Sequence, residues 1–523
     1  MLSIKCKEAL NMSAFGLKED CQVLKIMRIG YRLVFFAAFF NLLALNVCTY
    51  AADVKAKSCS FADVQAAVTA AQRGDTVTVP PCSETTWANT ITISKAMTIQ
   101  GNGSKIKSNI PQTSTNAYLF DFSPSNIVSD TNVLFRITGF DFNLDHKTGA
   151  IRIRNYNSST PLNMVRIDNN VFTNCRYQYP KVSVLTNASY DKVIFIHGVV
   201  YGVIHSNVFN GGVSFASMGY SGRDDGLSSW NNLKYFHGSH DNIFWEDNII
   251  NYAATPYGVE DQIWSSGWGG RYVARYNTIN IDFSGFKLIG DVHGGYDFYS
   301  NYGAMGAEIY GNIIVRADNS GTRLADLRGG RDLVYYNKVI SRSGSSSSVN
   351  IQLQEEYKDS PKKTLCPKGT LYPGNFCGTD GQPEHVSDTY LWNNRFNNSL
   401  STFSKRKLAS PALELRENID YWKDNSSCIS TSCTAGIGCG TLDNLPKTCT
   451  PGVAYWATNQ SCSEVPSASV GKNPTQPIEG TLYRCDSANK WIAYYTPYTY
   501  PHPLRTEDVE KAISAPKGFK LIN

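Results

Sequence analysis

Three features are scarce in this sequence: helical periodicity, an excess of charge of one sign, and long apolar runs. The 523 residues include 49 Lys and Arg against 44 Asp and Glu, so the charge balance does not point to a nucleic-acid partner. The main apolar stretch, residues 33–47, has about fifteen residues and is too short for a comfortable membrane span. Tyr, Phe, Gly and Ser are plentiful instead, and this composition without a helical pattern predicts an all-β protein.

The apolar stretch is better explained as part of a leader and signal peptide within residues 1–51. A basic segment precedes it at residues 27–32, and Thr49–Ala51 offers a small-residue cleavage site. Acylation at Cys48 is the alternative, but Val47 stands where a small residue is needed. We expect a mature chain that begins near Ala52, has 43 basic and 41 acidic residues, and is secreted. The periplasm and the cell surface are the alternative locations.

Seven short segments repeat one pattern: a polar or aromatic residue, any residue, an asparagine, and then a hydrophobic or β-branched pair. The steps between the asparagines are 37, 41, 29, 35, 25 and 57 residues. Such a repeat, with Gly, Asn, Asp and Ser between short strand-like runs, predicts a β-solenoid with loops of unequal length. The asparagines are expected to stack their amides about 4.8 Å apart along the axis. They are Asn170, Asn207, Asn248, Asn277, Asn312, Asn337 and Asn394.

The repeat also predicts which side chains face the core. The residue three positions before each asparagine is apolar and is expected to point inward: Ile167, Ile204, Trp245, Ala274, Ile309, Val334 and Leu391. The residue two positions before the asparagine is expected to point outward. This predicts one row on the outer surface: Asp168, His205, Glu246, Arg275, Tyr310, Tyr335 and Trp392.

The outward row has side chains that could cleave an acidic sugar chain by β-elimination. Arg275 with Arg271 would neutralise the uronate carboxylate. His205 or Glu246 would remove the neighbouring proton, and Tyr310 would protonate the leaving oxygen.

Hydrolysis is the second reaction that the row allows, because it needs two carboxyl groups. Asp168 and Glu246 lie two repeats apart, or about 9.6 Å by strand spacing. An outer ladder of salt bridges without catalysis explains the same residues equally well. We predict as catalytic residues Asp168, His205, Glu246, Arg275 and Tyr310, with replacements of Glu246 and Arg275 leaving stability little changed because both point outward.

The long insertions between Gly211 and Gly303 concentrate aromatic residues, histidines, acids and glycines. Loops of this kind often carry function. Four residues of this region are expected to bind substrate over the row: Arg271, His293, Trp264 and Trp268. No metal site is evident, and calcium is left open as a cofactor.

The mature chain is expected to open with a capped amphipathic helix. Ser60 is a good N-cap with Asp63 three residues later, and Gly74 stops the helix. Apolar residues at 64, 67, 68 and 71 form its inner stripe. A helix in this place would close the open end of a solenoid. Three strand-like runs follow: Thr76–Val79, Thr90–Ile93 and Met97–Gln100.

The segment from Phe61 to Gly103 resembles the opening of secreted right-handed parallel β-helix proteins of the pectin-lyase-like superfamily, and the asparagine repeats are similar to their coils. The likeness covers residues 59–400 and implies a right-handed parallel β-helix there. It implies no single activity, because the superfamily includes lyases, hydrolases, epimerases, phage tailspikes and non-catalytic adhesins. The Arg-Ile-Lys of polygalacturonase-type hydrolases is missing, and the arginine and calcium-aspartate motifs of the pectate-lyase type are not evident.

The repeat ends after Phe396, and we expect a Cys-rich C-terminal region with an aromatic tail over residues 401–523. Residues 404–425 have a mild helical pattern, while Thr481–Arg484 and Lys490–Tyr495 predict a hairpin. The tyrosines after the hairpin are expected to pack back on the solenoid. An exported chain favours disulfides, including Cys59 to Cys82, and leaves Cys175 as a buried thiol. The C-terminal cysteines are 366, 377, 428, 433, 439, 449, 462 and 485.

Three classes of function fit these features: a polysaccharide-degrading enzyme, a carbohydrate-binding or adhesin-like surface protein, and a structural surface protein. We favour an extracellular lyase or glycoside hydrolase acting on an acidic polysaccharide. The predicted partner is the polysaccharide, with no nucleic acid, no membrane contact after signal removal and no second subunit.

Overall fold

The computed structural model shows an all-β protein whose strands form mainly parallel sheets. It describes residues 51–111, 117–146, 148–155, 160–175, 192–211, 215–218, 235–253, 262–267, 269–282, 287–294, 303–317, 321–341, 349–354, 386–406, 415–464 and 471–506. The predicted leader therefore lies almost wholly outside the described residues, and the division at residues 400 and 401 stays a prediction. In the described part of the chain no helix has the length and apolarity needed to cross a membrane.

The predicted N-terminal helix is confirmed as α1, Phe61–Ala70, which ends a few residues before the expected Gly74. The Ser60 hydroxyl accepts a hydrogen bond from the Asp63 backbone amide at 3.3 Å, so one of the free amides at the helix start is satisfied. Its buried residues, Val64, Ala67 and Val68, join the main core. A second short helix, α2, spans Ile127–Asp130.

Thirty-seven strands run through the described residues, most of them three to seven residues long. Strands β1 to β14 are Asp53–Lys55, Thr76–Thr78, Thr85–Trp87, Ile91–Ile93, Thr98–Ser108, Tyr118–Phe122, Phe135–Asn143, Gly149–Asn155, Leu162–Asp168, Val171–Thr173, Ile194–Gly198, Val200–His205, Val208–Asn210 and Phe215–Met218. Strands β15 to β27 are Ile243–Glu246, Ile249–Ala253, Gln262–Gly267, Arg271–Arg275, Thr278–Asp282, Lys287–Val292, Gly306–Tyr310, Ile313–Arg316, Thr322–Leu327, Arg331–Tyr335, Lys338–Ser341, Val349–Gln354 and Thr389–Trp392. Strands β28 to β37 are Arg395–Phe396, Ser399–Leu400, Thr402–Arg406, Tyr421–Lys423, Ser432–Cys433, Ile437–Gly440, Thr448–Cys449, Ala454–Ala457, Thr481–Ser487 and Lys490–Tyr495.

The strands up to β31 pair as three long parallel ladders, except β29, which pairs antiparallel with β28. The first ladder runs through β1, β2, β5, β7, β9, β12, β15, β18, β21, β24, β27 and β31. The second ladder runs through β3, β5, β7, β10, β13, β16, β19, β22, β25 and β28. The third ladder is a separate ten-stranded sheet of β4, β6, β8, β11, β14, β17, β20, β23, β26 and β30. From β8 to β28 successive strands follow one repeating order of ladders: third, first, then second.

The predicted asparagine ladder is confirmed between the first and second ladders. Each side-chain amide donates to the side-chain oxygen of the next asparagine at 2.9 to 3.1 Å, from Asn170 through to Asn394. Each amide also donates to a backbone carbonyl, as Asn277 does to Trp245 at 2.9 Å. Buried amides paired in this way fix the strands in register.

The residue before each ladder asparagine has a left-handed backbone conformation, a regularity that the sequence pattern did not reveal. The φ angles are near +50° to +63° at Asn169, Ser206, Asp247, Tyr276, Gly311, Tyr336 and Asn393. Only one of the seven is glycine, although L-residues generally avoid this region. The tight corner is therefore imposed by the strands and the asparagine ladder on both sides of it.

The predicted inward row is confirmed, since all seven of its residues are fully buried and belong to the main core. Aromatic stacks add to this core: Phe142 stacks on Phe172, and Phe172 on Phe209 with ring centroids 4.7 Å apart. Fully burying one such apolar side chain contributes about 1.5 to 3 kcal/mol. Cys175 is a buried free thiol, as expected.

The C-terminal region is held by disulfides and by a four-stranded sheet of β33, β35, β36 and β37. The hairpin of β36 and β37 is confirmed, and so is the Cys59–Cys82 bridge near α1. Three further bridges join Cys428 to Cys433, Cys439 to Cys462, and Cys449 to Cys485. Cys366 and Cys377 lie outside the described residues.

The mild helical pattern over residues 404–425 is wrong where the structure describes it. Residues 402–406 form β30 and residues 421–423 form β31, each paired in parallel with an earlier strand. Pairing to an existing ladder satisfies the backbone groups of these short segments and overrides a weak local preference.

Candidate active site

The predicted outward row points away from the main core, but it is not open to solvent. Its five predicted catalytic residues are between 0 and 4% exposed: Asp168, His205, Glu246, Arg275 and Tyr310. The segment that covers them is residues 495–506, here called the C-terminal cover. The expectation that the aromatic tail packs back on the strands is confirmed, and the expectation of an accessible row is wrong for this reason.

The C-terminal cover supplies partners to the two charges at the centre of the row. Arg275 donates to Glu246 at 2.8 Å, to the Tyr310 hydroxyl at 2.9 Å, and to the backbone carbonyls of Tyr498 and Thr499 at 2.5 and 2.8 Å. Glu246 accepts from the His502 backbone amide at 2.9 Å and from Arg505 at 3.0 Å. Both charges are therefore fully engaged in interactions within the protein.

The same cover binds the left-handed corner residue Asp247, which accepts hydrogen bonds from Tyr500 at 2.8 Å and from Arg505. At the other end of the row, Asp168 accepts from Arg136 at 2.7 Å and from Arg166 at 3.0 Å. Arg166 in turn donates to the Leu504 backbone carbonyl at 3.0 Å. The row is thus a salt-bridged network that attaches the C-terminal cover to the first ladder.

The pKa values in this row follow from burial and charge. Burial by itself would raise the pKa of Glu246, but the charges of Arg275 and Arg505 together with the contacts from His502 outweigh burial and hold the pKa at about 2. Burial, helped by the charge of Arg505, lowers the pKa of His205 to about 3. Burial raises the pKa of Tyr310 to about 12. None of these groups would exchange protons near neutral pH, which disfavours acid–base catalysis here.

The four predicted substrate-binding residues do not come together. Trp264 is fully buried in the main core beside Trp245, so its placement at a binding surface is wrong. Arg271 is buried on the outer side of the first ladder, with its guanidinium over the rings of Tyr201 and Tyr235. Trp268 lies outside the described residues. His293 follows β20 and lies on the third ladder, where it meets a different set of charged residues.

The outer face of the third ladder carries a second row of polar side chains. Their strand neighbours, such as Val292 and Leu327, point into the main core, so by alternation these residues point outward. In register along the ladder they are Asp121, Arg152, Phe195, Ser265, Asp291, Asp326, Gln352 and Ser404. The next outward positions include Arg154, His197, His293, Arg328 and Gln354.

Two carboxylates on adjacent strands form the centre of this face. Asp291 on β20 pairs in register with Asp326 on β23. Arg328 donates to both oxygens of Asp291 at 2.6 and 2.7 Å, and His293 lies 3.2 Å from the same carboxylate. Asp326 accepts from Arg323 at 3.0 Å.

The two carboxylates have opposite pKa displacements. Burial raises the pKa of Asp326, and the neighbouring negative charge of Asp291 raises it further. Burial would also raise the pKa of Asp291, but Arg328 and His293 outweigh burial and hold it below the ordinary value. The pair can therefore hold one proton on Asp326 while Asp291 stays ionised, which is the arrangement of a general acid beside a base.

This acid pair is also less enclosed than the first-ladder row. The side chains of Arg328 and His293 are 15 and 20% exposed, and that of Arg323 is 22% exposed. Gln352 on the next strand donates to both oxygens of Asp326 at 3.2 and 3.4 Å and fixes the carboxyl plane. Solvent, and hence a ligand, can reach the cations around the pair.

The described residues contain no group of three His, Cys, Asp or Glu placed to hold a metal ion. The chemistry that this face can support with its own side chains is proton transfer. Asp326 can donate a proton, Asp291 can accept one, and the arginines can bind an anionic group.

Most of this face was missed because the asparagine pattern marks only the first and second ladders. The segment Asp291–His293 was noticed for its composition, but its strand partner near Asp326 carries no repeat asparagine. The sequence does carry a signal for this face. At the end of both strands an acid is followed two residues later by a His or Arg, as Asp291 by His293 and Asp326 by Arg328. Two outward positions of one strand have this spacing.

Comparison of the chain with family models, with curated proteins and with solved structures found no match. Function is therefore inferred from the geometry of the chain itself.

Proposed function

We propose that this protein hydrolyses an acidic polysaccharide on the outer face of the third ladder, with Asp326 as general acid and Asp291 as nucleophile. The observation that carries the proposal is the pair of in-register carboxylates with opposite pKa displacements. A protonated carboxyl group can donate to the leaving glycosidic oxygen, while an ionised one on the adjacent strand, about 4.8 Å away, attacks the anomeric carbon. Water then releases the sugar from the carboxylate, with Asp326 taking the proton of the water. Protein side chains suffice for this reaction.

The proposal includes the fold that the sequence resembles, a right-handed parallel β-helix of the pectin-lyase-like superfamily. Three parallel ladders, an asparagine ladder at one corner and a helix next to the first strands support it. Secretion is part of the same proposal. The four disulfides support it, since such bonds persist in oxidising compartments.

Hydrolysis explains the carboxylate pair better than β-elimination does. Elimination requires cations on the substrate carboxylate and a base near neutral pKa. Arg328 and Arg323 are already bonded to Asp291 and Asp326. The positive charges of Arg328 and Arg323 lower the pKa values of Asp291 and Asp326. The exposed parts of both arginines can still bind a sugar carboxylate.

An acidic substrate is supported by the charge further along the same face. Arg152 and Arg154 both bind Asp121, so two cations share one carboxylate there. Phe195, which pairs in register with Arg152, is buried on the same outward row. The partly exposed Arg154 is a cation on a strand face that suits a chain of acidic sugars.

The test is a screen of the secreted chain on polygalacturonate, alginate, a glucuronan and a neutral glucan. Reducing ends and the ultraviolet absorbance of unsaturated uronates are measured together. Hydrolysis of an acidic polymer predicts a rise in reducing ends alone. A rise in both signals would show elimination instead of hydrolysis. No rise in either signal on any of the four substrates would reject an enzymatic function.

Variants then place the site. Asp326→Asn and Asp291→Asn should each lower kcat/KM by about 100-fold or more, because the first removes the acid and the second removes the nucleophile. Asp282→Asn, an exposed acid on the second ladder, is the matched control and should keep full activity. Full activity in both site variants would move the active site away from this face.

A non-catalytic carbohydrate-binding protein is the second candidate. The bonds between Asp291 and Arg328 and between Asp326 and Arg323 support it, because a self-neutralised face can bind sugars without reacting. Binding to an acidic polymer by a chain that releases no reducing ends would favour this candidate.

A further inference from the structure

A cavity of about 270 Å³ lies where the end of the second ladder meets the C-terminal region. It is lined by Lys338, Arg395, Asn397, Asn398, Ser463 and Glu464. This basic cavity shares no residue with the candidate active site on the third ladder. Its volume is below the range of about 300–1,000 Å³ for drug-sized ligands, so its ligand would be small.

Two cations stand side by side on its strand wall. Lys338 on β25 and Arg395 on β28 pair in register, so their backbones are about 4.8 Å apart. Like charges placed directly opposite on neighbouring strands repel each other. No ion pair joins either cation to a described residue, so the charges of Glu464 across the cavity and of Asp424 beside Arg395 act on them only at longer range.

The guanidinium of Arg395 is nevertheless held in place. Its Nε donates to the Asn393 side-chain oxygen at 2.7 Å, and its Nη1 donates to the Asn398 carbonyl at 2.9 Å. Asp424 accepts from the Asn393 backbone amide at 3.0 Å through both carboxylate oxygens and makes no ion pair with Arg395. A fixed cation with a remaining donor is suited to bind a carboxylate from solution.

The other side of the cavity carries an acid and a hydroxyl group. Glu464 and Ser463 are exposed and belong to the C-terminal region, and Glu464 forms no ion pair with Lys338 or Arg395 in the described structure. Because Glu464 forms no ion pair with the two cations, the acid and the cations can all contact a ligand in the cavity. A carboxylate can accept hydrogen bonds from the hydroxyl groups of such a ligand.

We propose that the basic cavity binds one uronic-acid residue, with its carboxylate on Lys338 and Arg395 and its hydroxyl groups on Glu464. The residue is either a free sugar acid or the end of an acidic chain, since both present the same chemistry. The proposal does not depend on the catalytic assignment. A site of this kind would bind substrate or product at a distance from the reaction.

Calorimetric titration with galacturonate, glucuronate, glucose and acetate tests the proposal. We expect both uronates to bind at least tenfold more tightly than glucose or acetate, because only they offer carboxylate and hydroxyl groups together. Acetate binding as tightly as the uronates would overturn the sugar assignment. No uronate binding at millimolar concentration would overturn the site.

Three variants separate the parts of the cavity. Lys338→Gln and Arg395→Gln should each weaken uronate binding by about tenfold or more, the loss of one charged hydrogen bond. Glu464→Ala should weaken uronate binding but not acetate binding, because it removes the acceptor of the sugar hydroxyl groups, which acetate lacks. Unchanged uronate binding in all three would overturn the proposal.

Controls keep folding and catalysis apart from binding. Lys55→Gln, an exposed lysine on β1, should leave uronate binding unchanged. Each variant is compared with the parent chain by thermal unfolding, so that a weaker signal from an unfolded chain is recognised.

A trigalacturonate that binds more tightly than the free sugar supports a chain end, and one that binds more weakly supports the free acid. Loss of Lys338 should not change the turnover of short substrates, which distinguishes this site from the active site.

Discussion

The first and third ladders both carry carboxylate–arginine pairs on outward positions, yet their surroundings differ. Glu246 and Arg275 on the first ladder have fully buried side chains, and the C-terminal cover supplies partners to each. Asp291 and Arg328 on the third ladder find partners on their own face, and the Arg328 side chain is 15% exposed. An outward position therefore does not by itself make a charge accessible.

The comparison separates two roles for the same residue types. A buried charge with every donor and acceptor satisfied by the chain attaches one segment to another. A charge whose partners lie on one face, with part of its surface open, can also meet a ligand. Four experiments test whether the two faces differ in this way.

The largest expected effect is on the first ladder. A solvent-exposed Arg275 would be replaceable with little change in stability, as expected from its outward position, but the side chain is fully buried. Arg275→Met should therefore reduce the free energy of unfolding by about 3 to 5 kcal/mol, because it leaves Glu246 buried without its main partner. Urea unfolding followed by circular dichroism measures the change. The double variant Glu246→Leu with Arg275→Met should lose less than the single variant. A single variant as stable as the parent chain would mean that the C-terminal cover does not hold the row as described.

The second experiment concerns the pH dependence of hydrolysis on the third ladder. Asp326 must be protonated to act as an acid, so kcat/KM should fall about tenfold per pH unit above its raised pKa. Arg323 lowers the pKa of Asp326, so Arg323→Gln should move this alkaline limb to higher pH. Arg154→Gln on the same face should leave the limb in place. If the alkaline limb does not shift in the Arg323→Gln variant, a group other than Asp326 donates the proton.

The third experiment tests acid stability of the first-ladder network. The pKa of His205 is about 3 in the folded chain against 6.5 for an ordinary histidine. Below pH 6.5 the unfolded chain takes up a proton that the folded chain does not, so stability is lost between pH 6.5 and 3. The loss from His205 alone is about 2 kcal/mol at pH 5. His205→Gln should recover it in urea unfolding at pH 5 and 8, whereas the exposed His240→Gln should not.

The smallest effect is expected from an ion pair on the third ladder. Arg154→Gln should change the free energy of unfolding by less than about 1 kcal/mol, because Asp121 keeps Arg152 and Arg154 is partly exposed. Urea unfolding of Arg154→Gln and Arg275→Met under the same conditions compares one arginine from each face. Equal losses in the two variants would remove the distinction between the faces.

Much of the strand arrangement could be predicted from the repeat. The register of Asn277 with its neighbours, the inward Trp245 and the capped helix at Ser60 follow from local spacing and propensity. The third ladder was harder to predict, since its strands carry no repeated asparagine. The pairing of Asp291 with Asp326 joins residues 35 positions apart.

The side of each strand that faces the core follows from local sequence, because alternation is a property of the extended backbone. The stacking of the asparagines and the Cys59–Cys82 bridge likewise depend on spacing along the chain. Which outer face is covered depends instead on contacts between distant parts of the chain. Tyr498, His502 and Arg505 meet the first ladder from more than 220 residues away. Their contacts are favourable only once both partners are folded, so no local pattern in the sequence reports them.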